Sequence, residues 1–230
     1  MVLNFLPMVE IVMTMKLNRE KEAPNGLIDF GEPKPAKKKK MFKESITKEE
    51  LTELPLKWFN GDIYVVDKPG QVDDVAEYLS AQQVIGFDTE TRPSFKKGVV
   101  NKVSLLQLAT PNDAFLIRVN RVGLPASLRE ILASPNIIKP GVAIRDDIKG
   151  LQGIARFNPG GFVELQDYAK DLGIQNFSLK KLTAIVLGFR ISKSQQLSNW
   201  EADHLTEAQQ IYAATDAWTS LKIYQHFPNN

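Results

Sequence analysis

Two carboxylates stand one residue apart at the end of an apolar run, in the stretch VIGFDTETRP from Val84 to Pro93. Such a run is typical of a buried strand, and side chains two residues apart on a strand project from the same face. Asp88 and Glu90 therefore point together, while Thr89 points to the other side. Neighbouring carboxylates repel each other unless a cation lies between them. The pair indicates a divalent metal site, although a lone D-x-E pattern is more often a solvated edge or turn.

A second candidate lies in the stretch IYAATDAWTSLKIY, residues 211–224. Tyr212 and Asp216 are four residues apart and share one face of a helix. Apolar residues surround most of that helix, which predicts that it is buried. A buried carboxylate needs a cation or a hydrogen-bond donor. Asp216 is therefore either a metal ligand or the partner of Tyr212 in a hydrogen bond within the helix.

The third candidate is the stretch IIKPGVAIRDDIKGL, residues 137–151, where Asp146 and Asp147 open a helix after an apolar strand. Acidic residues are favoured at a helix N-terminus by the helix dipole, and this fully accounts for one of the two. The three stretches together offer four acids from separate elements. Such a set suits phosphoryl transfer assisted by two metal ions.

The composition restricts the kind of metal site. The chain has 230 residues, no cysteine and two histidines, His204 and His226. A ligand set made mainly of oxygen favours a hard cation, Mg²⁺ or Mn²⁺. Residues 1–50 contain ten Lys or Arg against eight Asp or Glu, and residues 51–230 contain nineteen of each. The neutral folded part must bind a polyanion through a local patch or through metal ions.

The chain divides into an extension and one α/β domain. Residues 1–45 form a basic N-terminal extension that we expect to be disordered, because PKPAKKKK (residues 33–40) and its surroundings hold little apolar area. This extension is either a basic arm for nucleic acid or a solvated linker. We find neither a membrane span nor a signal peptide, and expect a cytoplasmic protein. Residues 46–230 form the domain.

The hydrophobic pattern predicts a mixed sheet flanked by helices. Capping boxes at Thr47 and Thr206 mark the starts of the first and last helices. Expected strands are 62–66, then an antiparallel meander of 84–89, 103–109 and 114–119, then 137–143 and 162–165. Expected helices are 71–82, 127–133, 146–155, 168–172, 178–187 and 206–227.

The motifs DTE, GVAIRDD and YAATD resemble the three motifs of the DEDD superfamily of 3′–5′ exonucleases, in its tyrosine-bearing branch. The segment 178–218 also contains SLKKL, SNW and LTEAQ in the same order. It resembles the Werner syndrome exonuclease domain closely and ribonuclease D less closely. The resemblance covers roughly residues 62–227.

This resemblance implies a ribonuclease H-like fold with a five-stranded mixed sheet, three antiparallel strands followed by parallel ones. It also implies two divalent metal ions, Mg²⁺ or Mn²⁺. The spacing from Gly141 selects Asp147 over Asp146 as the acid of the middle motif. Tyr212 takes the place of the tyrosine that orients the attacking water. The implied metal ligands are Asp88, Glu90, Asp147 and Asp216.

The implied activity is 3′–5′ exonuclease cleavage of nucleic acid with release of nucleoside 5′-monophosphates, with DNA favoured and a role in DNA repair. The chain ends after its last helix, whereas ribonuclease D carries further helical domains, and this favours DNA over RNA processing. The alternatives are a ribonuclease D-like exoribonuclease and a catalytically silent nucleic-acid-binding module. Candidate substrate contacts are Thr89, Phe95, Lys180, Lys181, Arg190 and Lys193, although a solvated helix face explains the basic ones equally well.

Overall fold

The computed structural model describes residues 41–94, 96, 98 and 101–228. Its strands are β1 (Asp62–Val66), β2 (Gly86–Thr91), β3 (Val103–Ala109), β4 (Asp113–Ile117), β5 (Lys139–Gly141) and β6 (Phe162–Glu164). Its α-helices are α1 (Lys48–Glu53), α2 (Val72–Ser80), α3 (Val119–Val122), α4 (Ala126–Ala133), α5 (Ile144–Gln152), α6 (Leu165–Asp171), α7 (Leu179–Leu182) and α8 (Glu207–His226). Both predicted capping boxes are present, at Thr47 and at Thr206.

The strands form the predicted mixed α/β arrangement. A four-stranded sheet has the order β1-β4-β3-β2, in which β2, β3 and β4 are antiparallel and β1 runs parallel to β4. Strands β5 and β6 form a separate parallel pair. An isolated parallel bridge between Val84 and Ile138 links this pair to the residues just before β2. The predicted single five-stranded sheet is thus a four-stranded sheet and a two-stranded sheet joined by one bridge.

Most predicted elements differ by a few residues from the observed ones, and two of the differences have a local cause. The strand expected over 137–143 is reduced to β5, because Ala143 adopts a left-handed backbone conformation with φ 61° and starts the next helix. The helix expected over 178–187 is α7 followed by a π-helical turn, Thr183–Leu187. It ends as predicted at Gly188, whose φ of 70° is one that glycine adopts without strain.

Both faces of the four-stranded sheet are covered, so every residue of β3 is buried. On one face, Leu106 and Leu108 pack in a core with residues of α2, α4 and α5. On the other face, Leu105 and Ala109 pack against the alanines of α8 and against Trp200. The alternation of side chains along β2 and β3 therefore decides which residues meet α8.

Strand β2 and helix α8 approach each other closely at Gly86. A Cβ atom at this position would lie 1.9 Å from the backbone oxygen of Ala217. No side chain fits in that space, so glycine is required here. This contact places the part of α8 that carries Asp216 directly against the strand that carries Asp88.

Of the extension that the sequence predicts to be disordered, residues 1–40 lie outside the described residues, whereas residues 41–45 differ from the prediction and contact the folded domain. The ring of Phe42 meets that of Phe227 with centroids 6.0 Å apart, and Lys43 forms an ion pair of 3.1 Å with Glu50. Among the residues described, no helix is both long and apolar enough to cross a bilayer.

Candidate active site

Strand β2 presents its polar side chains to two different helices. Asp88 is directly opposite Gln107 of β3, and Glu90 is opposite Leu105, which places both acids on the face covered by α8. Thr89 faces the other way and its hydroxyl donates a hydrogen bond to Asp147 of α5. Side-chain alternation thus brings acids from β2 to α8 and links β2 to α5 through a threonine.

Helix α8 contributes Tyr212 and Asp216 to a cavity of about 280 Å³ that Asp88 and Glu90 also line. Asp216 is only 6% exposed. Tyr212 and Asp216 both line the cavity and lie close enough for each to influence the pKa of the other.

The start of α5 positions Asp147 by an unusual cap. Ala143 precedes the helix in a left-handed conformation, and the Glu164 carboxylate accepts hydrogen bonds of 2.9 Å from the backbone N–H groups of Ala143 and Ile144. Asp147 then points towards Thr89, while the side chain of Asp146 is 93% exposed and pairs with Lys149. Of the two neighbouring acids, Asp147 is the one that faces β2.

The carboxyl groups share a poorly solvated environment. Burial, followed by the nearby Asp216 and Asp147, raises the pKa of Asp88 well above its usual value. Burial, followed by Asp88, Asp216 and Asp147, raises the pKa of Glu90 to about 10, and burial raises that of Asp216 to about 7. Burial likewise raises the pKa of Asp147. Without a cation, a proton is therefore the counter-charge for Glu90 at neutral pH and, in part, for Asp216.

The donor set fits hard divalent cations, because it consists of carboxyl oxygens, the ligands that such cations prefer. In the part of the chain that the structure describes, however, no three acidic or histidine side chains are grouped closely enough to hold one ion as they stand. The acids of β2 and α8 line the cavity, Asp147 of α5 lies beside it, and Asp147 and Asp216 both raise the pKa values of Asp88 and Glu90. The chemistry of the site therefore fits a metal, while its present side-chain conformations do not form a finished ligand cluster.

One polar residue of the site was not predicted from the sequence. Gln107 is fully buried, and neither atom of its amide has a hydrogen-bond partner among the described residues. It lies opposite Asp88, on the face covered by α8. A buried amide without partners is destabilising by roughly 1–3 kcal/mol, so its position next to an acid is a further sign of a functional site. The available signal was the amide side chain of Gln107 within the mostly apolar VSLLQLA.

The candidate substrate contacts fall in different places. Thr89, Lys180 and Lys193 line the cavity, and the charge of Lys193 acts on Asp216. Lys181 is not among the lining residues, and Arg190 donates to the Leu54 carbonyl instead. Phe95 lies outside the described residues.

An arginine clamp supports the loop next to Tyr212, and sequence reasoning did not predict it. Buried Arg118 donates to the backbone carbonyls of Ala202 and Asp203. The same loop carries Trp200, which is fully buried and lies 6.0 Å from the Tyr212 ring, centroid to centroid. Trp200 is thus a packing residue that contacts the back of the site.

Comparison with known proteins agrees with this arrangement. Residues 63–230 match the family model described as 3′-5′ exonuclease. The chain is 34% identical over 163 residues to the mouse bifunctional 3′-5′ exonuclease/ATP-dependent helicase WRN, covering 68% of this chain and 12% of that protein. This chain covers only 12%, 29% and 45% of the lengths of three of its curated relatives.

Two solved structures share the fold. The Aedes aegypti Nibbler EXO domain is 27% identical, with a TM-score of 0.67 over 74% of this chain and 90% of that one. Escherichia coli RNase D, an exoribonuclease, is 24% identical, with a TM-score of 0.65 over 71% of this chain and 44% of that one. With a family model matching most of its length, and with acids from β2, α5 and α8 around one site, this chain belongs to the 3′-5′ exonuclease family.

Proposed function

We propose that the chain hydrolyses the terminal phosphodiester bond at the 3′ end of a nucleic acid. In this reaction a water oxygen forms a bond to phosphorus and the bond from phosphorus to the O3′ atom of the preceding nucleotide breaks. A nucleoside 5′-monophosphate leaves and the shortened strand keeps a 3′-hydroxyl. The observation that carries the proposal is the placement of Asp88, Glu90 and Asp216 around one cavity with Asp147 beside it.

The four acids are proposed to hold two divalent cations, Mg²⁺ or Mn²⁺. Asp88 and Glu90 would contribute to both sites, Asp216 would complete one, and Asp147 would act mainly through water. When bound, the cations supply counter-charge for the phosphate and lower the pKa of the attacking water. Among the described residues, no three acidic or histidine side chains form a ready-made cluster. We therefore expect small rotations of the acidic side chains when cations bind and displace protons such as the one on Glu90.

Tyr212 is proposed to orient the attacking water and not to remove its proton. Burial, followed by the neighbouring Asp216 and Glu90, raises the pKa of Tyr212 above the usual value for a tyrosine. Its hydroxyl therefore stays protonated at neutral pH and serves as a hydrogen-bond donor. Lys180 and Lys193 are at the same cavity and are proposed to contact substrate phosphates.

We propose DNA as the preferred substrate, on the strength of the motifs in residues 178–218. RNA is the alternative, since Escherichia coli RNase D of similar fold is an exoribonuclease. The cytoplasmic location and the role in DNA repair stay predictions, and cell fractionation and survival after DNA damage would test them.

The direct test is a gel assay with 5′-labelled DNA that has a recessed 3′ end, run beside an RNA of matched sequence. We expect a ladder that shortens from the 3′ end with Mg²⁺ or Mn²⁺, disappears with EDTA, and is absent for Asp88→Ala. Asp146→Ala is the matched control, because this neighbouring acid is exposed to solvent. The faster ladder identifies the substrate. Tight binding of both polymers with no ladder would make the chain a nucleic-acid-binding module.

A further inference from the structure

A second cavity lies directly beside the candidate active site. Its volume is about 180 Å³, and we call it the Trp58 pocket after its most prominent lining residue. Most of its surface is apolar, and its walls include Leu56, Lys57, Trp58, Ile211 and Tyr212. None of the residues that line it is acidic, whereas the active-site cavity is lined by carboxylates.

Trp58 presents an aromatic surface to solvent. Its exposed fraction is 53%, and that of Leu56 is 41%. An exposed tryptophan next to an exposed leucine forms an apolar patch, and such patches often mark binding sites. The indole ring is also the side chain with the largest flat area for stacking.

The backbone on both sides of Trp58 is fixed. The N–H of Lys57 donates to the carbonyl of Arg190 over 3.0 Å, and the N–H of Phe59 donates to the hydroxyl of Thr215 over 3.0 Å. Phe59 is buried under α8, where Thr215 is one residue from Asp216. Trp58 is therefore held on a rigid segment with a fixed relation to the active site, which reduces the entropy lost when a ligand binds.

The two cavities share a wall. Tyr212 and Ser192 line both of them, so a strand with its 3′ end at Tyr212 would have a neighbouring nucleotide within reach of the Trp58 pocket. Lys57, which lies 5.3 Å from the centroid of the Phe189 ring, supplies positive charge at this pocket. An aromatic ring beside a cation is the combination used to bind single-stranded nucleic acid.

We propose that the Trp58 pocket is a second nucleobase subsite, in which an unpaired base of the substrate strand stacks on Trp58 and Lys57 meets an adjacent phosphate. This inference rests on the proposed exonuclease function. Stacking on an indole ring does not depend on the identity of the base, so the subsite would favour single-stranded 3′ ends without selecting a sequence.

The test compares a minimal substrate with a longer one. The minimal substrate is the p-nitrophenyl ester of thymidine 5′-monophosphate, and the longer one is a single-stranded DNA octamer. For Trp58→Ala, we expect the ratio of the octamer KM to the minimal-substrate KM to rise at least about fivefold, the lower end of the effect of losing one stacked base. Trp58→Phe should restore most of the ratio. Tyr64→Ala, which removes another exposed aromatic residue, should leave it at the wild-type value.

A binding measurement keeps this test separate from the test of activity. The octamer, added in EDTA, should quench the tryptophan fluorescence of the full chain, and Trp58→Phe should remove most of that quenching. Neither of the other two tryptophans lines the pocket, because Trp200 is fully buried and Trp218 packs against Phe59 and Phe189. Wild-type protein that cleaves neither substrate would overturn the exonuclease proposal. The quenching measurement would still test whether the octamer binds at the Trp58 pocket. An unchanged KM ratio in Trp58→Ala, or quenching that persists in Trp58→Phe, would overturn the subsite.

Discussion

The hydroxyl of Thr89 donates a hydrogen bond to the carboxylate of Asp147 and so joins strand β2 to helix α5 between the two acids of β2. The bond uses the side of the strand opposite Asp88 and Glu90. It holds the middle acid next to the strand while the other acids face α8. The four acids therefore reach the site from both faces of one strand.

Replacing Thr89 by valine should remove this bond with little change in volume. We expect the unfolding free energy to fall by about 1–2 kcal/mol, because Asp147 loses its donor while remaining partly buried. Catalytic turnover should fall as well, since Asp147 is no longer held in place. Urea denaturation measures the first effect, and Thr91→Val, two residues along the same strand, is the control. If Thr89→Val is as stable as wild type, the hydrogen bond contributes nothing to the unfolding free energy.

The two neighbouring acids of α5 should behave differently. Asp147→Asn should lower kcat by about 100-fold or more if this acid helps to neutralise the transition state. Asp146→Asn should stay close to wild type, because its side chain is 93% exposed and pairs only with Lys149 on the surface. Initial rates on labelled DNA at saturating Mg²⁺ give the comparison. If kcat falls more in Asp146→Asn than in Asp147→Asn, Asp146 is the acid of the middle motif.

Removing the Tyr212 hydroxyl should slow the chemical step without abolishing cation binding. We expect Tyr212→Phe to lower kcat by about 100-fold, the effect of losing one well-placed donor. The affinity for Mn²⁺ should change little, because the carboxylates remain. Single-turnover rates and a Mn²⁺ titration separate the two effects, and an unaltered rate would remove Tyr212 from the mechanism.

The raised pKa values of the acids predict how stability depends on pH. Folding raises the pKa of Glu90 from 4.5 to about 10 and that of Asp216 from 3.8 to about 7. The folded state therefore holds more protons than the unfolded state above pH 4.5, and its stability falls as the pH rises towards these folded values. In EDTA, the melting temperature should decrease from pH 5 to pH 8.

Mn²⁺ should reverse this trend, because a cation replaces the protons as counter-charge and binds more tightly as the pH rises. Glu90→Gln should flatten the pH dependence in EDTA. Differential scanning calorimetry at several pH values tests both expectations. Stability in EDTA that increases over this range would contradict the assigned direction of the pKa shifts.

The left-handed conformation of Ala143 predicts a stabilising substitution. Any residue with a Cβ atom is strained at a φ of 61°. Ala143→Gly should therefore raise the unfolding free energy by about 0.5–1 kcal/mol. Ala208→Gly, in the exposed first turn of α8, should lower it by a similar amount. If both substitutions destabilise the protein equally, Ala143 is not strained.

Local patterns were sufficient to predict the elements that carry the acids. Alternation along DTE placed Asp88 and Glu90 on one face, and the Thr206 capping box fixed the start of α8. The spacing of Tyr212 and Asp216 followed from the helical repeat. These features depend only on residues close together in the chain.

The features that sequence did not predict depend on distant residues. The start of α5 depends on Glu164 of strand β6, whose carboxylate accepts hydrogen bonds from the backbone N–H groups of Ala143 and Ile144. The clamp of Arg118 and the position of Gln107 opposite Asp88 arise from tertiary packing and strand register. The shared wall of the two cavities likewise exists only once residues 56–58 pack beside α8. No local pattern in the sequence contains these contacts.

The central claim is that the acids of β2, α5 and α8 hold two catalytic cations. The most direct measurement is electron paramagnetic resonance of Mn²⁺ titrated into the full chain with thymidine 5′-monophosphate present. We expect about two bound ions per wild-type chain and the loss of at least one in Asp88→Asn, with Asp146→Asn unchanged. Wild-type protein that binds no Mn²⁺, or Asp88→Asn that binds as many ions as wild type, would contradict the account.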